Sequence, residues 1–438
     1  MIRKLLQISL LSLSLALPAK AQDDFIYSQF TSLLEGQASI SLVWNLTTES
    51  SADARNLEAA LLAKLNDGTE DMTPRESVDL RTILAIDYSV TSTPSHLILT
   101  MMAPQDSFFE AVDHFTDSLK GGDISEGWLN RITVNFEQRP STRISTQGNV
   151  EAELRDYMLY QNAQVTINDL AGTVLRRPDQ IITNARDFNF QLSPEQVMEA
   201  FPDAERRDAP IPPKRANQLP SGVIFMQDPD AREALIFLAD SADFVTHEEE
   251  ALANTIYRYM GYGPGSEMFT ILRQEKRASY DPQSHFTTLG KRLGFMGLSA
   301  NVEAAKWQES YEIMAGIYDR ARNGENGAQG IEDSKNQMIN VLVHDLRRIP
   351  NFLVQRYLDD FPYNAPNGRL SLPMVGAAFD LDTTRVNREA ATVLPPLDEM
   401  LTIVLGGHEA PPEAMRAKGY CELKKNEPLR KCLEALSN

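Results

Sequence analysis

Cysteine is almost absent from the 438 residues: there are two, Cys421 and Cys432, both in the tail. Their crowding there, with no histidine after them, speaks against a catalytic thiol and against a thiolate zinc site. Histidine is scarce too. His96, His114, His247, His285, His344 and His408 are the six, and no two are spaced to share one helical face as metal ligands. There is no G-x-S-x-G elbow to raise a serine nucleophile, and no Walker or Rossmann glycine pattern to hold phosphate. The glycines at 261, 263 and 265 lack the strand-to-helix setting that a phosphate loop needs. Beyond the first twenty or so residues no apolar run is long enough to span a bilayer.

Basic residues are outnumbered, 42 against 61 acids, for a net charge of −19. That balance opposes nucleic acid and anionic lipid as partners. The N-terminus is the exception. Arg3 and Lys4 precede an uncharged apolar run from Leu5 to Leu17, and Ala19-Lys20-Ala21 follows as a small-residue end. This is the pattern of a secretory signal peptide over residues 1–21, cleaved before Gln22, which places the mature protein in a bacterial periplasm. Cleavage removes three cations and no acid, leaving −22. In an oxidising compartment the close pair Cys421 and Cys432 is expected to form a structural disulfide, with two free thiols as the alternative.

What remains is ordinary globular composition, 42% hydrophobic and 24% charged, over a length sufficient for two domains. A proline-rich break, Ala209 to Ser221, reads as a linker between halves of similar length. The first half runs from an alternating strand at Ala38–Leu46 to a helix at about Asp53–Leu65 with Leu57, Leu61 and Leu65 on one face. Strand-like runs follow at 84–91 and 96–102. A helix at 107–119 then carries Phe108, Val112, Phe115 and Leu119 in a stripe, ended by Gly121-Gly122. His114 points away from that stripe and is expected in solvent. The second half repeats the order. A strand at Ala234–Ala239 precedes a helix announced by the capping box of Thr246 and Glu249. Strands follow at 284–289 and 294–299, and a helix from Val302 to Tyr318 aligns Trp307, Tyr311, Met314 and Tyr318. We expect an α+β protein of two tandem homologous domains, each a mainly antiparallel sheet covered by helices on one face. Their bounds are 22–208 and 222–408, joined by the linker 209–221 and followed by a tail, 409–438.

The second half also contains Gly261-Tyr262-Gly263-Pro264-Gly265-Ser266, then Met268, Phe269 and the stretch Leu272 to Tyr280. This resembles the second domain of the insulinase (pitrilysin) family of zinc metallopeptidases, especially its short members, which resemble mitochondrial processing peptidase subunits. Arg273 and Tyr280 match an arginine–tyrosine pair of that family, seven residues apart. Where the family usually has glycine, this chain has Arg277. The resemblance implies substrate binding by Arg273 and Tyr280, with Gly261, Gly263 and Gly265 in the adjoining loop.

In that family the first domain holds zinc through H-x-x-E-H on a helix, plus a distal glutamate. Two histidines four apart reach one metal, and the glutamate between them serves as general base. Aligned on Gly68-Thr69, the histidine positions here are Ala59 and Ala63 and the glutamate position is Leu62. None of the three binds zinc or moves a proton. Glu137 lies near the place of the distal ligand, but without histidines it reads as a surface acid.

No catalytic residue, metal or cofactor is therefore expected. The resemblance implies a non-catalytic subunit that pairs with an active zinc peptidase of the same family, as a heterodimer, and helps hold peptide substrate. The alternative is a scaffold or peptide-binding protein without a proteolytic role. A hydrolase with an unconventional site has nothing in the sequence to recommend it.

Overall fold

Ile40, Leu42 and Trp44 are fully buried, as their period-two spacing requires, and so are the intervening Ser39, Ser41 and Val43. The strand is thus covered on both faces, and its small polar residues pair internally: the hydroxyls of Ser41 and Thr100 are 2.6 Å apart. The computed structural model describes residues 26–31, 36–45, 51–93, 95–120, 124–138, 146–159, 177–185, 197, 217–290, 293–348, 354–356, 358, 373–425 and 427–437. The expected signal peptide, Gly121-Gly122 and residues 209–216 of the expected linker lie outside this set.

Two compact units interleave in the sequence. The first takes its described residues from positions 26–137, 177–197 and 343–358, the second from 138–159, 217–342 and 373–437.

In the first unit, strands β1 (Ile26–Thr31), β2 (Gln37–Asn45), β3 (Asp87–Ser92), β4 (His96–Pro104) and β5 (Gln180–Ala185) form a sheet ordered β1-β5-β2-β4-β3. All pairs are antiparallel except β1 with β5. Helix α1 (Ser51–Lys64) buries Leu57 and Leu61, with Leu65 just beyond its end. Helix α2 (Pro74–Ile83) starts with a capping box between Thr73 and Glu76. Helix α3 (Phe108–Leu119) buries Phe108, Val112, Phe115 and Leu119 as its stripe predicts. Helix α4 (Glu126–Gln138) follows.

His114 is not in solvent. It is 5% exposed, and its Nε2 lies 3.2 Å from the Ser77 hydroxyl. Ser77, on α2, supplies its hydrogen-bonding partner on the flank away from the stripe. Burial pushes the imidazole below its usual pKa.

The second sheet comprises β6 (Gly222–Gln227), β7 (Glu233–Asp243), β8 (Gln283–Thr288), β9 (Leu293–Glu303), β10 (Leu401–Gly407) and β11 (Tyr420–Glu422), in the order β11-β6-β10-β7-β9-β8. Without β11 the order and strand directions repeat those of the first sheet, with β6 and β10 as the parallel pair. The repeat extends to the helices. A 3-10 turn at Gln105–Ser107 leads into α3, and one at Ala304–Lys306 leads into the helix at Trp307–Arg322. That helix starts later than Val302 because β9 runs on through Glu303.

Among the described residues, both faces of the second sheet are covered. Phe225 packs against Trp307, with ring centroids 5.8 Å apart, on the face of the Trp307–Arg322 helix. Its neighbour Ile224 joins Phe237, Leu401 and Ile403 in a core shared with Val150, Leu154, Tyr157 and Met158 of helix α5 (Gln147–Leu159) and with Leu429, Cys432 and Leu433 near the C-terminus. Alternating side chains of buried strands are apolar on both sides, so a one-faced cover does not suffice here. Helix α6 (His247–Gly261) begins with the Thr246–Glu249 capping box, as expected. Helix α7 is Trp307–Arg322 and helix α8 is Leu429–Ser437. Cys421 and Cys432 are disulfide-bonded, tying edge strand β11 to α8.

Candidate functional site

The helix that the resemblance aligns with a zinc-binding helix is lined with hydrocarbon. Ala59 and Ala63, one turn apart on α1, are fully buried and cluster with Ala60. Leu62 packs against them, together with Ile124 and with Trp128 and Leu129 of α4. Catalytic zinc needs nitrogen, sulfur or oxygen donors and an opening for water. This set offers neither, so the residues do not fit the metal. Among the described residues, no group of three or more His, Cys, Asp or Glu is placed to hold an ion. Glu137 lies on α4, but its side chain is outside the described set. The alignment anchor Gly68 has φ +90°, in the left-handed region, and the Met72 carbonyl leaves no room for a Cβ.

The second unit does assemble its expected residues. Gly261, Gly263, Arg273 and Tyr280 line one open cleft of about 310 Å³, joined by Tyr262, Phe269 and Asp281. Gly265 is not among the lining residues. Residues Phe269–Glu275 form a π-helix, and this wider turn carries Arg273. Arg273 stacks over the Phe269 ring at 4.8 Å, and its Nη1 donates to the Tyr280 carbonyl oxygen at 2.8 Å. The arginine–tyrosine pair is therefore held through the tyrosine backbone. The Tyr280 ring itself is 84% exposed. Tyr262 is also exposed, under the Arg258 guanidinium at 4.3 Å.

The three glycines differ in their surroundings. A Cβ on Gly261 would sit 2.6 Å from the Ser284 nitrogen, because the end of α6 packs directly on β8. Gly263 has φ +80°. Gly265 has nothing within 4 Å of a Cβ. Ser266 ties the loop, donating to the Gly263 carbonyl at 2.9 Å and accepting from the Phe269 amide at 3.3 Å. Arg277 has φ +53°: the chain keeps the left-handed turn of a glycine with an arginine in it. The turn is closed by the amides of Ala278 and Ser279, both donating to the Leu272 carbonyl.

Sequence reasoning missed the residues behind the cleft. The Asp281 carboxylate accepts from the Asn301 side chain at 2.7 Å and from its amide at 3.3 Å. The Asp281 carbonyl accepts from Gln147 Nε2 at 3.0 Å. His285 bridges Glu151, 2.9 Å from Nδ1, and Ser299, 2.7 Å from Nε2. That chain has the connectivity of a nucleophilic triad, yet Ser299 is fully buried and His285 is 9% exposed. It acts as a tether for α5, and the His285 bond holds the Glu151 carboxyl below its usual pKa. No local signal in the sequence marks these partners, since each lies far from the other along the chain.

Residues 191–338 match the family described as peptidase M16 inactive domain. That stretch, about a third of the chain, is similar to the inactive domain of the insulinase-type (M16) peptidases. No curated protein matches it. Three solved structures are similar in fold. A peptidase M16 inactive domain from Pseudomonas fluorescens has 12% identity and TM-score 0.67, over 91% of this chain and 99% of that one. A protease from Helicobacter pylori has 13% identity and TM-score 0.69, over 90% and 100%. A chain of complex III2 from Candida albicans has 9% identity and TM-score 0.65, over 94% and 100%. At these identities the likeness shows the fold alone.

Proposed function

We propose that this chain is an exported accessory subunit that pairs with an active zinc peptidase of its own family and holds peptide substrate for it. The observation that carries the reading is a contrast within one chain. The helix aligned with the family's zinc helix offers a packed apolar cluster and no metal donor at the three aligned positions, while Arg273 and Tyr280 share an open cleft, the guanidinium bonded to the tyrosine backbone at 2.8 Å. A held peptide backbone gains positioning and charge stabilisation that the cutting subunit then need not supply. The N-terminal signal pattern and the −22 charge support a periplasmic setting with no nucleic acid partner. Arg273→Ala is expected to lower peptidase activity of the assembled pair while leaving assembly intact. Full activity in the assembled mutant contradicts a substrate-holding role.

The fold shared with a complex III2 chain favours a second reading, a scaffold subunit in which the cleft is inherited and idle. Recovery in a large assembly with no peptidase partner supports that reading instead.

A further inference from the structure

The tail gives the second unit something that the first, among its described residues, does not have. Strand β11 extends the second sheet beyond the order shared with the first, and the Cys421–Cys432 disulfide fastens it to α8. The tail is seated through two glycines. The Val223 amide donates to the Gly419 carbonyl at 2.9 Å, and a Cβ on Gly222 would lie 3.0 Å from that same oxygen. Just before β11, the short helix Glu413–Arg416 and the following Lys418 contribute one wall of an open pocket of about 500 Å³. The rest of the lining comes from α7, the start of β6 and the segment leading into β10, and no residue also lines the Arg273 cleft.

The pocket is apolar with a balanced set of charges. Leu397, Met400 and Met415 line it, and thioethers adapt to ligands of varied shape. Two acids and two bases join them, Asp319 and Asp398 with Arg322 and Lys418. Lys418 and Asp398 pair with each other at 2.6 Å. Asp319 and Arg322, one turn apart on α7, have no ion pair among the described residues. Arg322 is nevertheless fixed, because its Nε donates to the Leu394 carbonyl at 3.0 Å. The Tyr318 hydroxyl donates to the next carbonyl, of Pro395, at 2.8 Å. The loop is thus pinned to α7, and the terminal nitrogens of the guanidinium remain as donors.

We propose that this pocket binds a short zwitterionic peptide, with its carboxylate on Arg322, its ammonium on Asp319 and an apolar side chain against Leu397, Met400 and Met415. A simple anion meets Asp319 and a simple cation meets Arg322, so a ligand bearing both charges is favoured over either. Three residues of helix rise about 4.5 Å, which suits the two ends of a dipeptide better than a single amino acid, whose charged groups share one carbon. The volume falls within the range of small-ligand sites, roughly 300–1,000 Å³. The disulfide-stapled tail has a role in this site, as one of its walls.

The test is calorimetric titration of the mature, disulfide-bonded chain with leucyl-leucine, its N-acetyl form and its C-terminal amide. Leucyl-leucine is expected to bind with a Kd at or below about 1 mM, and each capped form about tenfold more weakly. Asp319→Asn is expected to remove the penalty for acetylation alone, and Arg322→Gln the penalty for amidation alone. Asp319 is exposed, so its variant probes the site without disturbing the core. Arg273→Ala, in the other cleft, is expected to leave all three affinities unchanged. No binding of leucyl-leucine at about 10 mM, or equal affinity for the three peptides, overturns the site. Binding that is lost in Arg273→Ala and intact in Asp319→Asn also overturns it, and places the peptide in the Arg273 cleft instead.

Discussion

Gln147 and Asp281 lie 134 positions apart in the sequence, and the side-chain amide of one donates to the backbone carbonyl of the other at 3.0 Å. The bond ties helix α5 to the segment that presents Tyr280. Tyr280 is thereby held from two sides: Arg273 takes its own carbonyl, and Gln147 takes the next one. Behind Gln147, α5 is itself pinned by Glu151 to His285 and by Glu153 to the Leu429 amide. The cleft therefore depends on a helix drawn from the first half of the chain.

Gln147→Leu keeps the volume and removes the donor. We expect amide exchange of residues 280–284 to rise several-fold, with global stability lower by about 1–2 kcal/mol for the unsatisfied carbonyl. Unchanged exchange in that segment means the tether does not hold the loop.

The three loop glycines are expected to separate. Gly261→Ala drives a methyl into the Ser284 backbone, so α6 or β8 must shift, at a cost of about 1–3 kcal/mol. Gly265→Ala meets open space and is expected to change stability by less than about 0.5 kcal/mol. Urea unfolding of the two variants compares them directly. Equal losses would show that packing at Gly261 does not set the join between α6 and β8.

Glu153 gives a pH dependence with a definite sign. Burial pushes its carboxyl up to about 7, despite the bond it accepts from Leu429 at 2.8 Å. The folded state then holds a proton that the unfolded state releases near the ordinary glutamate value. Its contribution is fully present below that value and is lost as pH rises through about 7. Asp240, also raised to about 7 by burial, acts in the same direction. Unfolding free energy is expected to fall between about pH 5 and 8. Glu153→Gln should remove on the order of 2 kcal/mol of that fall and leave the part due to Asp240. A pH profile identical to wild type contradicts the assignment.

Much of this was legible in sequence because it is local. Period-two alternation marked the strand around Ile40 and Trp44, the Thr246–Glu249 pair marked the start of α6, and the stripes from Phe108 and Trp307 marked matching helices. The clustering of Arg273, Tyr280, Gly261 and Gly263 followed from their nearness in the chain. What escaped is non-local. Helix α5 is polar along most of its length, and nothing in it says that Val150, Leu154 and Met158 will pack under a sheet that begins more than sixty residues later. His114 was misjudged because one helix's periodicity reveals one buried face, whereas α2 brings Ser77 to another. The tail's edge strand is only three residues, too short for an alternation signal, and it is recognisable only from its pairing with β6.

The proposed role of this chain is to hold peptide for a partner that does the zinc chemistry. The most direct measurement is to recover the mature protein from its native compartment, then determine what accompanies it and where the zinc lies. The account predicts a stoichiometric partner of similar size bearing H-x-x-E-H, with zinc bound to that partner and none to this chain. A zinc-free homodimer without an attached peptidase, or zinc bound by this chain alone, would contradict it.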